Sequence, residues 1–269
     1  MLVGILLYIF PVLSFKKKIF RIQEKTSMFM PAVDDDGTSH RYDLFGDCVA
    51  TTYSSASTYL KLGFNGVPSR AGIITKSPID GKSFRIDVRL TINKGTRSDG
   101  IAFWIGKDST YETGPVFGRK GGKGLLIAIV TKNDVPYIGI SVGDHSTFSN
   151  FNRTEELTKN IFDEQFTLRI TFDQVLVVSL GKGDKFKDVF KISDYELGTE
   201  SFFAVSVNNS TGYSDFKLHA IRHSTIEYPV FKDLDEKRTG GGKWVWLLFL
   251  VVIAVIAFIL YKKQTRKGR

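Results

Sequence analysis

From Trp244 to Tyr261 the chain reads WVWLLFLVVIAVIAFILY, an uncharged apolar run. At about 1.5 Å per residue in a helix it spans nearly the roughly 30 Å of a bilayer's hydrocarbon core. The run predicts a transmembrane helix over 244–261. Trp244 and Trp246 anchor one interface and Tyr261 the other, as amphipathic rings do. Beyond it, Lys262, Lys263, Arg266, Lys267 and Arg269 stand without an acid in residues 262–269. The positive-inside rule makes this a cytoplasmic tail and places everything before the span in the lumen or outside the cell.

The N-terminus fits the same topology. MLVGILLYIFPVLSF opens with an apolar stretch too short to span comfortably, followed by Val12-Leu13-Ser14, a small-residue pattern suited to signal peptidase. Residues 1–14 read as a signal peptide. An uncleaved anchor is the alternative, because Lys16, Lys17 and Lys18 follow at once and no basic side chain precedes the apolar run. The formal charge of +9 is concentrated in that lysine cluster and in the tail, which leaves the intervening domain near neutral. No nucleic-acid partner is expected. With one cysteine, Cys48, no intrachain disulfide can form, and a domain of this size must rest on its core. Three sequons, at Asn152, Asn208 and Asn209, are glycosylation candidates where exposed.

Between the ends the hydrophobic period is two. Phe84, Ile86, Val88, Leu90 and Ile92 alternate with Arg85, Asp87, Arg89 and Thr91, and Phe166, Leu168, Ile170 and Phe172 with Thr167, Arg169 and Thr171. Further short runs start at Gly100, Gly124, Tyr137, Gln174, Ser201 and Phe216, bounded by Gly, Asn and Asp. The pattern predicts an all-β, antiparallel sandwich over 15–225, joined by a glycine-rich stalk over 226–243 to the membrane helix. That stalk is too short for sustained heptads, so the luminal domain is expected to be monomeric. No G-x-S-x-G, P-loop or H-E-x-x-H is present, and His40, His145, His219 and His223 are scattered, so no enzyme is expected. The stretch Gly118 to Gly124 carries Arg119, Lys120 and Lys123 between two strands and reads as a basic surface hairpin rather than a phosphate loop. His145, after Asp144, reads as an exposed turn residue.

The order of motifs resembles the leguminous-type lectins of the early secretory pathway. The resemblance is carried by Ser27-Met28-Phe29-Met30-Pro31 with Asp34 to Gly37, by Ala71 to Lys76, by Phe84 to Val88, by Ser98-Asp99-Gly100-Ile101-Ala102-Phe103-Trp104, and by Gly114-Pro115-Val116-Phe117-Gly118 with Lys123-Gly124-Leu125. It implies a legume-lectin-like jelly roll that binds high-mannose N-glycans of glycoprotein cargo through a calcium-organised loop, in ER and Golgi membranes. The sugar-binding positions it implies are Asp99, Asp134, Gly212 and Tyr213. Asp99 would accept hydrogen bonds from vicinal sugar hydroxyls, or else serve as a turn residue before Gly100. Gly212, in Thr211-Gly212-Tyr213-Ser214-Asp215, would offer a backbone amide, although the spacing to Asp215 is one residue shorter than in the family.

The metal shell departs from the family. Its acidic ligand position falls on Val130, which cannot bind calcium, and its aromatic ligand position on Lys132, which would repel the ion. Its asparagine falls at Asp134 or, shifted by one, at Asn133. No cofactor is therefore expected. Two functions stay open: a cargo receptor with a degenerate sugar site, and a pseudo-lectin serving as a protein-binding or scaffolding module. The terminal Arg266-Lys267-Gly268-Arg269 is similar to dilysine-type signals read by coat proteins. It equally suits a basic cluster held at anionic lipid.

Overall fold

The computed structural model describes residues 18–30, 32–34, 38–51, 58–63, 68–79, 82–93, 100–132, 135–158, 161–196, 198, 200–209 and 215–228. The signal, membrane-helix and tail segments read from the sequence lie outside them, as does the stalk beyond 228. The stalk expected from 226 starts too early, because Ile226 and Glu227 pair with Phe20 and Ile19 as the end of the last strand and Ile226 is buried. Among the described residues no helix is long and apolar enough to cross a membrane. Residues 18–227 form one compact unit.

That unit consists of β1 (Ile19–Ile22), β2 (Tyr42–Gly46), β3 (Cys48–Thr51), β4 (Tyr59–Leu62), β5 (Ser69–Thr75), β6 (Phe84–Asn93), β7 (Gly100–Gly106), β8 (Thr113–Gly114), β9 (Gly118–Arg119), β10 (Lys123–Lys132), β11 (Val135–Asp144), β12 (Arg153–Glu156), β13 (Gln165–Asp173), β14 (Val175–Lys182), β15 (Lys185–Ile192), β16 (Phe202–Asn209) and β17 (Asp215–Glu227). One eight-stranded sheet runs β15-β14-β13-β6-β17-β4-β3, with β1 paired to β17. A seven-stranded sheet runs β12-β11-β10-β7-β16-β5-β2. All pairings between these strands are antiparallel, as the alternation predicts.

The period-two rows face each other across the sandwich. Phe84, Ile86, Val88, Leu90, Phe166, Leu168 and Ile170 from the eight-stranded sheet share one core with Ile101, Phe103, Ile105, Leu125, Ile127, Ile129, Phe203 and Val205 from the seven-stranded sheet. The alternate residues turn outward. There Arg169 grips Asp87 across β13 and β6 through two hydrogen bonds, Nε to Oδ1 at 2.7 Å and Nη2 to Oδ2 at 2.9 Å. The N-terminal segment is tied to β17 by a reciprocal backbone pair, Met28 N to Ile221 O at 2.7 Å and Ile221 N to Met28 O at 2.9 Å.

The seven-stranded sheet is also covered on its other face. Trp104, Leu126, Ala102, Ala128, Ile74 and Ala204 project there and are buried under Tyr111 and Val116, with Phe45, Phe117, Phe148 and Phe151 packed around them. Phe151 lies so close over Gly139 that a Cβ at that glycine would come 2.4 Å from its ring. The central strands of this sheet are thus apolar on both sides, which is why β7 and β10 show continuous rather than alternating hydrophobicity.

Phe103 is fully buried in β7 between the two sheets. Phe103→Ala should lower unfolding free energy by about 3–5 kcal/mol, read as a shift in urea midpoint.

Candidate functional site

The segments that carry the sequence-derived sugar ligands are 94–99, 133–134 and 210–214. Asp99, Asp134, Gly212 and Tyr213 all lie outside the described residues. The strand ends that bound these segments are described, and they meet at one end of the sandwich.

Gly100, the first residue of β7, stands opposite Asn208 of β16, and the next residue, Ile101, stands opposite Ile129 of β10. Gly100 has φ +120°, and a Cβ there would fall 2.3 Å from the Ile129 carbonyl oxygen and 3.0 Å from Val130 Cγ1. Only glycine fits that backbone. The entry of the chain into β7, directly after Asp99, is therefore fixed against the end of β10. Lys132 pairs with Val135 and closes β10 onto β11. Asn209 pairs with Ser69 of β5, and Asp215 opens β17 opposite Asn93, the last residue of β6.

The rim so formed has two polar fixtures. Arg70 Nε donates to Asn208 Oδ1 at 3.3 Å, beside Gly100. Asp215 is buried, with Lys61 Nζ 3.4 Å from Oδ1 and Lys217 Nζ 3.8 Å from Oδ2. The Oδ1 contact lacks hydrogen-bond alignment. Two ammonium groups thus hold the Asp215 carboxylate, and it has a structural task at the loop base.

The family's acidic metal-ligand position falls on Val130, which is half-buried and packed on the outer apolar layer beside Trp104, Leu126 and Ala128. Its methyl groups offer no oxygen, and among the described residues no cluster of His, Cys, Asp and Glu could hold a metal. At this position the chain offers calcium no oxygen, and positions 99, 133 and 134 lie outside the described residues.

Two sequence readings are corrected here. His145 is not an exposed turn residue: only 2% of its surface is accessible. The chain folds back after β11 onto the outer layer, placing His145 Nε2 3.1 Å from the Gly124 carbonyl and its ring edge-on to Trp104 with centroids 5.9 Å apart. Burial holds its imidazole below the ordinary histidine range, opposed by the Gly124 carbonyl and Asp144. The Gly118–Gly124 segment is neither a hairpin of its own nor wholly on the surface: Gly118 and Arg119 pair back with Gly114 and Thr113, while Lys123 and Gly124 pair with β11, and Gly124 also with β7. Arg119 is buried, with its guanidinium 5.4 Å from the Trp104 ring centroid and 3.8 Å from Asp108 Oδ2. Lys120 stays exposed and pairs with Glu112 at 2.7 Å.

His219 is also held below its ordinary range, first by burial and then by Arg89 and Lys217. Folding therefore favours neutral imidazole at both positions. As pH falls through about 6.5 the unfolded chain takes up protons that the folded chain resists, so stability is full above that pH and declines below it. Melting temperature should drop between about pH 7.5 and pH 5.5, and H145Q should drop less than the unmodified chain.

The legume-like lectin family model matches residues 22–230. A search of the curated proteins finds no match. Among solved structures, the exoplasmic/lumenal domain of VIP36 in its Ca²⁺/Man3GlcNAc-bound form superposes with a TM-score of 0.67 at 18% identity, covering 80% of this chain and 96% of that one. The legume lectin-like domain from Entamoeba histolytica gives 0.62 at 18%, covering 75% and 97%. The Emp47p carbohydrate recognition domain gives 0.64 at 14%, covering 76% and 97%. The family match spans most of the chain and coincides with the two-sheet sandwich, and the chain belongs to the legume-like lectin family.

Proposed function

We propose that this chain is a lectin-type cargo receptor that binds high-mannose N-glycans of glycoproteins at the rim where β6, β7, β10, β11, β16 and β17 end. The observation that supports it best is the convergence, in a legume-like lectin, of the strand ends bounding 94–99, 133–134 and 210–214. VIP36, which shares the fold, has been crystallised with Man3GlcNAc and with Man2. In this reading Asp99 and Asp134 accept hydrogen bonds from sugar hydroxyls, the Gly212 amide donates one, and the Tyr213 ring packs on the apolar face of the sugar.

The receptor is a single-pass type I protein of ER and Golgi membranes with residues 1–14 as signal, the segment after β17 up to 243 as stalk, 244–261 as span and 262–269 as a cytoplasmic tail that engages coat proteins. Its luminal domain is a monomer without catalytic activity. Val130 favours a second reading, a pseudo-lectin that binds protein, because an apolar residue occupies the family's acidic ligand position.

Asp99→Asn keeps the shape of the side chain and removes a charged acceptor. It should weaken mannose-glycan binding by about 1.5–3 kcal/mol with little change in melting temperature, read on a glycan array and by calorimetry. Unchanged glycan affinity would remove Asp99 from the site, and no glycan binding by the unmodified chain would leave the pseudo-lectin reading.

The domain should also fold and bind without calcium. Melting temperature is expected to be the same in excess EDTA and in millimolar Ca²⁺, whereas a calcium-dependent rise of several degrees would overturn this.

A further inference from the structure

We infer that Asn152 carries an N-linked glycan and that Asn208 and Asn209 do not. The inference rests on the luminal placement proposed above. The three sequons are alike as triplets, and the fold separates them. Asn152 is exposed at the entry to β12, the edge strand of the seven-stranded sheet, whose residues 153–156 are all exposed. Its backbone is fixed by Asn152 N to Ile140 O at 2.9 Å. Its Oδ1 accepts from the Val142 amide at 2.9 Å, and its Nδ2 has no partner among the described residues. The nitrogen that would bear the sugar is therefore left by the fold for solvent, and Thr154, the third residue of the triplet, is exposed as well.

The other two positions cannot take a glycan without cost to the domain. Asn209 has no accessible surface and lies in β16 against Ser69 of β5. Asn208 is half-buried opposite Gly100, its Oδ1 bonded to Arg70, so a glycan there would stand on the rim itself. Glycan transfer precedes folding, and a chain modified at Asn209 would have no way to close β16 onto β5.

The transfer needs a polyprenyl-pyrophosphate-linked oligosaccharide as co-reactant. Asn152 Nδ2 forms a bond to the anomeric carbon of the first sugar, the bond from that carbon to the pyrophosphate oxygen breaks, and the polyprenyl pyrophosphate leaves. The amide proton lost from Nδ2 passes to a base of the transferase. A glycan at this place also shields an edge strand whose free backbone groups would otherwise invite pairing with another chain.

The test is gel mobility of the full chain from eukaryotic cells, before and after peptide N-glycosidase. The unmodified chain should show one glycosidase-sensitive shift. T154A, which removes the sequon but keeps the Asn152 hydrogen bond, and N152Q should both abolish it. S210A and T211A, which remove the sequons of Asn208 and Asn209 without altering either asparagine, should each retain it. A control sequon in the β14–β15 turn, G183N with K185T, reports topology, because Gly183 has φ +57° with nothing within 4 Å of a Cβ and asparagine tolerates that conformation. If the control is modified and the unmodified chain is not, the inference fails alone. If neither is modified, the luminal placement fails and the inference falls with it. A shift that survives T154A, or that S210A or T211A removes, overturns the assignment to Asn152.

Discussion

The structure depends on the contact between the inward rows of its two sheets. Nothing covalent joins them within the chain: the single thiol, Cys48, lies close to the Phe45 and Gly72 carbonyl oxygens at 3.2 and 3.5 Å, and burial pushes it up to about 11. The thiol packs against the edge of the core. Cohesion therefore comes from apolar burial, in which branched and aromatic side chains from β6, β13 and β17 meet those of β7, β10 and β16. Because inward residues alternate with outward ones along β6 and β13, slipping either strand by one position would turn its whole row out of the core, so packing also fixes register.

Register in turn determines where the loops emerge. Once Ile101 is opposite Ile129 and Asn208 opposite Gly100, the ends of β7, β10 and β16 stop at one level, and the segments that follow leave from one rim. The outer apolar layer reinforces that level. Trp104 donates its indole N–H to Ser206 Oγ at 2.8 Å and carries His145 and Arg119 against its ring, so β7 is held on both faces. The platform beneath the rim gains rigidity from a layer that belongs to neither sheet's inner face.

The inner core was legible in the sequence because a half-buried strand must alternate, and Phe84 to Ile92 and Phe166 to Phe172 do so without a break. The outer layer was not, although a signal existed. Gly100 to Gly106 and Gly124 to Thr131 are apolar at successive positions, the pattern of strands covered on both sides, and the covering residues Tyr111, Phe148 and Phe151 stand in polar loops where no period marks them. The sequence misleads at His145 and Arg119 for the same reason: their neighbours in sequence are polar, and their neighbours in space are aromatic. For the rim, the family motifs pointed to Asp99, Asp134, Gly212 and Tyr213, and the fold supplies the strand ends between which those residues are strung.

Val130 brings these constraints together. In a metal-organised loop an acidic side chain at this position would have to turn an oxygen towards the ion, away from the apolar surface below it, and bound calcium would offset the desolvation of that carboxylate. Valine reverses the preference: its methyl groups gain from lying on the layer formed by Trp104, Leu126 and Ala128, and they crowd the position of a Cβ at Gly100 at 3.0 Å. The end of β10 is thus held down by packing where the family design holds it by coordination. Such a clamp has no dependence on ion concentration and little on pH, since no titrating group takes part in it. The backbone entry into β7 at Gly100 is accordingly set as the chain folds, by its packing against Ile129 and Val130.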